Sequence, residues 1–293
     1  MDQEQQQSSQ LKQLIAKGKE QGFLTYTEVN DHLPDGIIEP EQIEDIVRMI
    51  NDMGITVHET AHGWMALRLG DKTAMMLGRL TLNPFKHIDP LGTILIPGLM
   101  YMLAGFMFGW AKPVPVTWQN LKQPKRDMVF VAAAGPMSNL VMALLWALAI
   151  RIGLALGDAG LALVFMGVAG IFINTILMVL NLLPLPPLDG GRVMTGLLPG
   201  PLAYRFSLIE PYGFLILVGL LVTGLLGVIL WPVIEFFIGL LAGLSGLQPR
   251  TFMAVLNALL GGLAAALLVV VARRLTPLSP WWAAAAAMAV SLA

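Results

Sequence analysis

The sequence predicts an all-α polytopic membrane protein of about five to six spans with short β-like loop elements, preceded by a small soluble three-helix domain. Three observations predict it. The 293-residue chain is 56% hydrophobic and 13% charged, with mean hydropathy +0.71, where an ordinary soluble domain is about a quarter charged. Charge is segregated: residues 1–55 carry eleven Asp/Glu and four Lys/Arg, net −7, whereas 56–293 carry eight and fourteen, net +6. Apolar runs recur at 92–111, 127–156, 161–183, 206–231, 232–246, 251–272 and 281–293; a span needs roughly 20 such residues.

In chain order, residues 1–9 are polar and of low complexity, and disorder is expected of them. In 10–55, Leu11, Leu14 and Ile15 recur at helical spacing, with Gly18 and Gly22 as breaks. Thr25 or Thr27 is a candidate N-cap for a second helix, and Pro34 stops it. The clearest helix is EPEQIEDIVRMINDMG. Ile43, Ile46, Val47 and Ile50 share one face, opposite Glu44, Asp45 and Arg48. Its end is expected near Gly54 or Ile55.

From residue 56 the chain changes material. The 92–111 run carries Pro97, Gly98, Gly105 and Gly109 and reads as a broken or re-entrant element. Lys/Arg cluster at Arg68, Lys72, Arg79 and Lys86, at Lys112, Lys122, Lys125 and Arg126, and at Arg192 and Arg205, while the 157–160 loop has none. If 127–156 leaves the cytoplasm and 161–183 returns, the positive-inside rule puts the second and third clusters on the cytoplasmic side, and the first joins them if 92–111 dips in and comes back, with Arg151 opposing. Residues 247–293 form apolar helices of no evident role. The chain has no cysteine, which excludes disulfides, thiolate metal sites and Cys nucleophiles.

Two motifs carry chemistry. VHETAHGW places His58 and His62 four apart, on one helix face, with Glu59 beside them. Such a pair can present two imidazoles to one zinc ion, with the glutamate as general base for an activated water. The site then wants a third ligand and an open position. NLLPLPPLDGG, at 181–191, follows an apolar run and contains Asp189 in an otherwise uncharged stretch. An ionisable group at the end of a membrane helix is a functional candidate. Pro184, Pro186 and Pro187 break the helix, and Gly190 and Gly191 permit a tight bend. The bland alternatives are a chance H-E-x-x-H and an interfacial turn with a solvated Asp.

H-E-x-x-H, then G-P-x-x-N at 135–139, then N-x-x-P-x-P-P-L-D-G-G is the order of the site-2 proteases, which 56–246 resembles. The stretches GRLTLNPFKHIDPLGT and FGWAKPVPV extend the likeness. The resemblance implies a zinc intramembrane endopeptidase of the compact bacterial kind, in the inner membrane, with its active site near the cytoplasmic face. It implies His58, His62 and Asp189 as Zn2+ ligands, Glu59 as general base, and Asn181 as a contact to substrate backbone or oxyanion. Pro136 and Asn139 belong to helix packing near the site, with an interhelical hydrogen bond as the alternative for Asn139. His87 reads as structural. Lys112, Pro113, Val114 and Pro115 read as an extended edge able to receive an unwound substrate by strand addition. Trp110 and Trp118 read as interface anchors.

Residues 10–55 resemble region 1.1 of primary bacterial sigma factors, on QLKQLIAKGKEQGFLTYTEVNDHLPDGIIEPEQIEDIVRMINDMGI. In that family the module is acidic and autoinhibitory and occupies the DNA channel of RNA polymerase. The partners implied are a transmembrane protein substrate, the lipid bilayer and, through this module, RNA polymerase. No direct nucleic-acid contact is expected. The chain thus reads as a fusion in which the apolar first half of the H-E-x-x-H helix is replaced by acidic sequence. The competing reading is a catalytically impaired fusion that tethers an acidic interaction domain to the membrane. A metal transporter is the weakest reading, because the apolar half holds few intramembrane His, Asp and Glu.

Overall fold

The computed structural model describes residues 40–83, 86, 87, 89, 95 and 112–261. The expected tail at 1–9, the first two helices of the N-terminal domain, the 92–111 element and the last apolar stretch beyond 261 lie outside the described residues. Among those described, the chain is helical and has no strand, so the expected β-like elements within 112–117 are irregular backbone.

Helix α1 is Pro40–Leu69, 30 residues without a break, or about 45 Å of rise. The sequence suggested a helix end near Gly54, since glycine in a helix interior costs about 0.5–1 kcal/mol relative to alanine. Packing reverses that local preference. A Cβ at Gly54 would lie 3.0 Å from Leu177 Cδ1 and 3.2 Å from Asn174 Oδ1, so the missing side chain is what lets α1 approach its neighbour. Buried residues then recur every fourth position, at Ile50, Gly54, His58, His62 and Ala66, the spacing of one helix face.

Helix α2, Thr73–Met76, is a single turn. Asp71 between α1 and α2 is 1% exposed. Its carboxylate accepts from the Thr73 backbone N–H and hydroxyl, from Thr117 N–H at 2.7 Å and from Asn120 Nδ2 at 3.0 Å. Burial alone would push this carboxyl up; the donors around it outweigh that and hold it below its ordinary value. The knot ties the end of α1 to the 117–120 segment. Nearby, Ala66, Leu121 and Val131 form a small core with Met65, Leu69, Val116 and Trp118 against it, so Trp118 packs inward by part of its ring.

Helix α3 is Pro124–Ala155, with Pro136 inside it. After a 3₁₀ turn at Gly157–Gly160, α4 runs Leu161–Asn181. Helices α5 (Asp189–Leu197), α6 (Gly200–Ser207), α7 (Glu210–Val222) and α8 (Leu225–Ser245) follow. The sequence divided 206–246 at Trp231–Pro232. The structure divides it at Thr223–Gly224, where Gly224 takes φ +74°, and α8 carries Pro232 within it. Positive φ at a glycine ends a helix more effectively than a proline interrupts one near its start.

Three helices among the described residues are long and apolar enough to cross a membrane: Pro124–Ala155, Gly157–Asn181 (α4 with its 3₁₀ lead-in) and Leu225–Ser245. The pair α6 and α7, bent by 59°, adds a fourth if it forms one span. α1 is not among them. Leu145, Leu148 and Ile152 on α3, and Val228, Ile229 and Phe236 on α8, are exposed. Apolar residues so densely exposed fit a lipid environment.

The chain divides into two compact units. Among the described residues, one gathers 40–50, 145–172 and 239–261; the other gathers those from 51 to 144 and 173–238. In the first, α3 and α4 meet at glycines: a Cβ on Gly170 would lie 2.3 Å from the Trp146 ring, and one on Gly167 would lie 2.4 Å from Ile150. The second unit holds the candidate site.

Candidate metal centre and active site

Asp189 opens α5, just after the Leu182–Leu188 break. Its Oδ2 lies 3.0 Å from His58 Nε2 and 3.2 Å from His62 Nε2. All three residues are buried, at 7%, 8% and 6% exposure for His58, His62 and Asp189. The ligand atoms of the three lie within 4.8 Å of one another. The structure thus brings together the three residues that the sequence singled out as ligands.

The surroundings fix which nitrogen of each imidazole faces inward. Asn139 is fully buried. Its amide nitrogen donates to Gly54 O at 3.2 Å and to Asn174 Oδ1 at 3.0 Å. Gly54 O can only accept, so the amide orientation is determined, and Asn139 Oδ1 faces His58 Nδ1 at 2.6 Å. That contact requires a proton on Nδ1, which in the neutral, metal-binding form of the ring leaves the lone pair on Nε2. His62 Nδ1 likewise donates to Val131 O at 2.7 Å. Both Nε2 lone pairs therefore converge on the side where Asp189 sits. Outer partners of this kind orient metal-binding imidazoles and raise their basicity. The interhelical hydrogen bond considered for Asn139 is present, and its use is to set the His58 tautomer.

These residues fit a zinc ion. Two neutral imidazoles and one carboxylate are an ordinary donor set, and bonds of about 2.0–2.2 Å place tetrahedral ligand atoms about 3.4 Å apart. A second feature agrees: a Cβ at Gly135 would lie 2.4 Å from His62 Nε2 and 2.5 Å from His58 Nε2. Any other residue there would occupy the place where the nitrogens meet a metal. Gly135 stands in the G-P-x-x-N motif, but only its neighbours Pro136 and Asn139 drew notice as sequence. Gly190 and Gly191 need a correction. Neither has positive φ, and both lie inside α5. A Cβ on Gly190 would fall 2.2 Å from Leu182 O, and one on Gly191 2.4 Å from Pro186 N. They are glycines for close approach to the proline-rich break, which places Asp189, and not for a bend.

Glu59 follows His58 on α1 and is half-buried. Its Oε2 accepts the Val114 N–H at 2.7 Å, a contact that no sequence pattern announced. Asn181 ends α4, and its amide donates to Leu177 O at 2.9 Å within its own helix. His87 is 3% exposed and donates from Nε2 to Thr81 O at 2.9 Å, in keeping with a structural histidine. The stretch Lys112–Pro115 has no N–H to spare. Lys112 N–H donates to His87 O at 2.8 Å, Val114 N–H serves Glu59, and two prolines have none. A substrate strand would find carbonyls and side chains there, but no donors for a two-way ladder.

Comparison with known proteins agrees with both halves of the sequence. Residues 5–75 match the family model "Sigma-70 factor, region 1.1". "Putative zinc metalloprotease YwhC" of Bacillus subtilis is 42% identical over 188 residues, covering 62% of this chain and 83% of that protein. "Putative zinc metalloprotease Rip2" of Mycolicibacterium smegmatis is 35% identical over 175 residues, 58% of this chain and 64% of that protein. "RNA polymerase sigma factor RpoD" of Neisseria gonorrhoeae is 44% identical over 70 residues, 24% of this chain and 11% of that protein. No solved structure matches the chain. The chain belongs to the zinc metalloprotease family of YwhC, its motifs are consistent with a site-2 protease, and its residues 5–75 are similar to sigma-70 region 1.1.

Proposed function

We propose that the chain is a zinc-dependent intramembrane endopeptidase that cuts transmembrane segments of other proteins at the multi-pass bacterial inner membrane. The observation that carries this reading is the convergence of His58 Nε2, His62 Nε2 and Asp189 Oδ2 beside Glu59, in a chain with three helices among the described residues long and apolar enough to cross a membrane. The Lys/Arg clusters favour a site near the cytoplasmic face.

His58, His62 and Asp189 would hold the zinc ion, which would supply a Lewis acid for the scissile carbonyl and a water with its pKa lowered to about 7. The protein's own groups do the rest. Asn139 and Val131 hold the two imidazoles with Nε2 inward. Glu59 is held by one oxygen on Val114 N–H, and its other oxygen takes the proton of the attacking water and passes it to the leaving amine. Asn181 has a second amide hydrogen beyond the one given to Leu177, and its role is to donate to the developing oxyanion. The substrate helix unwinds locally to free its amide from its own ladder and lies along Lys112–Pro115, through carbonyl and side-chain contacts. The N-terminal module, as a sigma-like domain, brings RNA polymerase as its partner.

A second reading is supported by α1 itself. That helix lacks the apolar length of a span, which favours a catalytically impaired fusion tethering an acidic module to the bilayer. One experiment separates the two: cleavage of a model transmembrane substrate by the purified full chain against Glu59→Gln, with zinc measured in both. Glu59-dependent cleavage supports the protease. Bound zinc with no difference between the two proteins refutes it.

A further inference from the structure

The hydrogen bond on Glu59 comes from the main chain, so whatever fixes that stretch of main chain fixes the glutamate. Val114 lies between Pro113 and Pro115, which have no N–H. Its own N–H is therefore the single backbone donor from 113 to 115, and Glu59 takes it. The stretch belongs to no helix or strand, so no ladder holds it. It is held instead at particular points. Downstream, Thr117 N–H donates to buried Asp71. Against α1, Val114 Cγ1 packs where Gly63 has no side chain: a Cβ there would lie 3.0 Å from it. Upstream, Arg79 Nη2 donates to Lys112 O at 3.0 Å and reaches Pro113 O at 3.4 Å.

Arg79 meets an unusual demand to do this. Its Nε is buried without a hydrogen-bond partner among the described residues, although buried donors are normally satisfied. Its backbone N–H is anchored on Ala74 O at 2.9 Å, which plants the residue just after α2. The guanidinium thus gives up one donor to span two consecutive carbonyls with another; Pro113 O belongs to the same peptide unit as the Val114 N–H, and Lys112 O to the unit before it. Charge-assisted donors to carbonyls are among the stronger hydrogen bonds.

We propose that Arg79 is a positioning residue for Glu59: by clamping the Lys112 and Pro113 carbonyls, it holds the Val114 N–H on one carboxylate oxygen and leaves the other oxygen to the attacking water. The proposal rests on the reading of Glu59 as general base, and its test carries a readout that does not need cleavage. The variants are Arg79→Met, which keeps the length and removes the donors, and Arg79→Lys, which restores a charged donor without the fork.

Four quantities are read on the purified full chain: bound zinc, kcat and KM on a model transmembrane substrate, and hydrogen exchange of the peptide spanning Val114. In Arg79→Met, Val114 exchange rises about tenfold, kcat falls about tenfold with KM within about twofold, and zinc stays at the wild-type level. Arg79→Lys recovers part of both losses. Glu59→Gln, which removes the charged acceptor, also speeds Val114 exchange. Wild-type exchange in Arg79→Met overturns the proposal whatever the activity does. So does a raised KM with unchanged kcat, which would place Arg79 in substrate binding. If wild type and Glu59→Gln cleave alike, the protease reading fails, and the exchange arm still decides whether Arg79 holds the Val114–Glu59 contact. If Arg79→Met does not fold, Arg79→Lys decides by the same exchange measurement.

Discussion

The two halves of α1 carry different sequence and share one face. Residues 40–55 belong to the acidic, sigma-like segment, with Asp45, Arg48, Met49, Asp52 and Met53 exposed. Residues 56–69 carry the metal motif, with His58, His62, Gly63 and Ala66 buried. The ladder of backbone hydrogen bonds does not register the change. What packing needs is a buried position every fourth residue, and Ile50 and Gly54 supply the same row as His58 and His62. Joining two unrelated sequences is structurally tolerable when their apolar rows fall in phase. The halves differ in how they reach the site. The second half supplies ligands. The first reaches it through one main-chain carbonyl, Gly54 O, which orients Asn139 and thereby His58.

The largest expected effect lies in the ligand half. Gly135→Ala puts a methyl group at 2.4–2.6 Å from both imidazoles, and neither ring can retreat without losing Asn139 or Val131. The variant is expected to purify with almost no zinc by elemental analysis and to lose cleavage by at least about a hundredfold. Near-stoichiometric zinc in Gly135→Ala would show that α3 does not press on the imidazoles as closely as the structure has it.

Next comes the bridge between the halves. Asn139→Leu keeps the volume and removes the acceptor for His58 Nδ1. Loss of an outer partner of a metal-binding histidine costs about 10–100-fold in affinity, to be read by competition with a chelator. Gly54→Ala is the sharper probe, because it changes no hydrogen-bonding group. Its Cβ would stand 3.0 Å from Leu177 and 3.2 Å from Asn174, so the neighbours must shift by a few tenths of an ångström. The expected result is zinc bound about tenfold more weakly, with helix content unchanged by circular dichroism. Equal zinc affinity in Gly54→Ala and wild type would break the comparison, leaving the sigma-like half as a mere tether.

These predictions also mark what the sequence could tell. His58, Glu59, His62 and Asp189 were legible because their signals are local: a fixed spacing on one helix, and a lone carboxylate at the end of an apolar run. Two apolar helices, α3 and α4, were legible by length alone. Gly135, Asn174 and the Val114–Glu59 bond were not, since each acquires its meaning from a residue at least 35 positions away. The break in 206–246 was misplaced because proline is the louder letter, while glycine acts only through a positive φ that sequence does not display. The unbroken α1 was missed for the same reason: Gly54 reads as a stop until Leu177 and Asn174 are seen against it.

Asp71 offers a smaller test on the loop that holds the other side of Glu59. Its folded pKa lies below the unfolded value, so the carboxylate stabilises the fold at neutral pH. That contribution is fully present above the unfolded pKa of about 4 and is lost as pH falls through the lower folded value. Asp71→Leu leaves Thr117 N–H and Thr73 N–H without their acceptor, a cost of about 1–3 kcal/mol per buried donor. Denaturant midpoints are expected to show wild type losing stability below about pH 4 and the variant losing less. Parallel curves would assign the acid sensitivity to other carboxylates.

The smallest effect is the most discriminating for how the two halves communicate. The acidic half differs from an ordinary span by its charge as well as by its shape, and either difference has a route to the metal centre. Ten residues of helix separate Arg48 from His58, about 15 Å, beyond the screening length of roughly 8–10 Å at physiological salt. Asp45 and Arg48 are exposed, so their fields pass mostly through solvent, where a surface charge acts weakly. Asp45→Asn and Arg48→Gln, alone or together, are therefore expected to change zinc affinity by less than about twofold at 0.15 M salt, while Gly54→Ala in the same assay changes it about tenfold. That ordering assigns the influence of the sigma-like half to a main-chain carbonyl and the fit around it. The reverse ordering, with charge variants outweighing Gly54→Ala, would mean that the acidic half tunes the centre through its field, and the shared buried row would then explain only why the helix holds together.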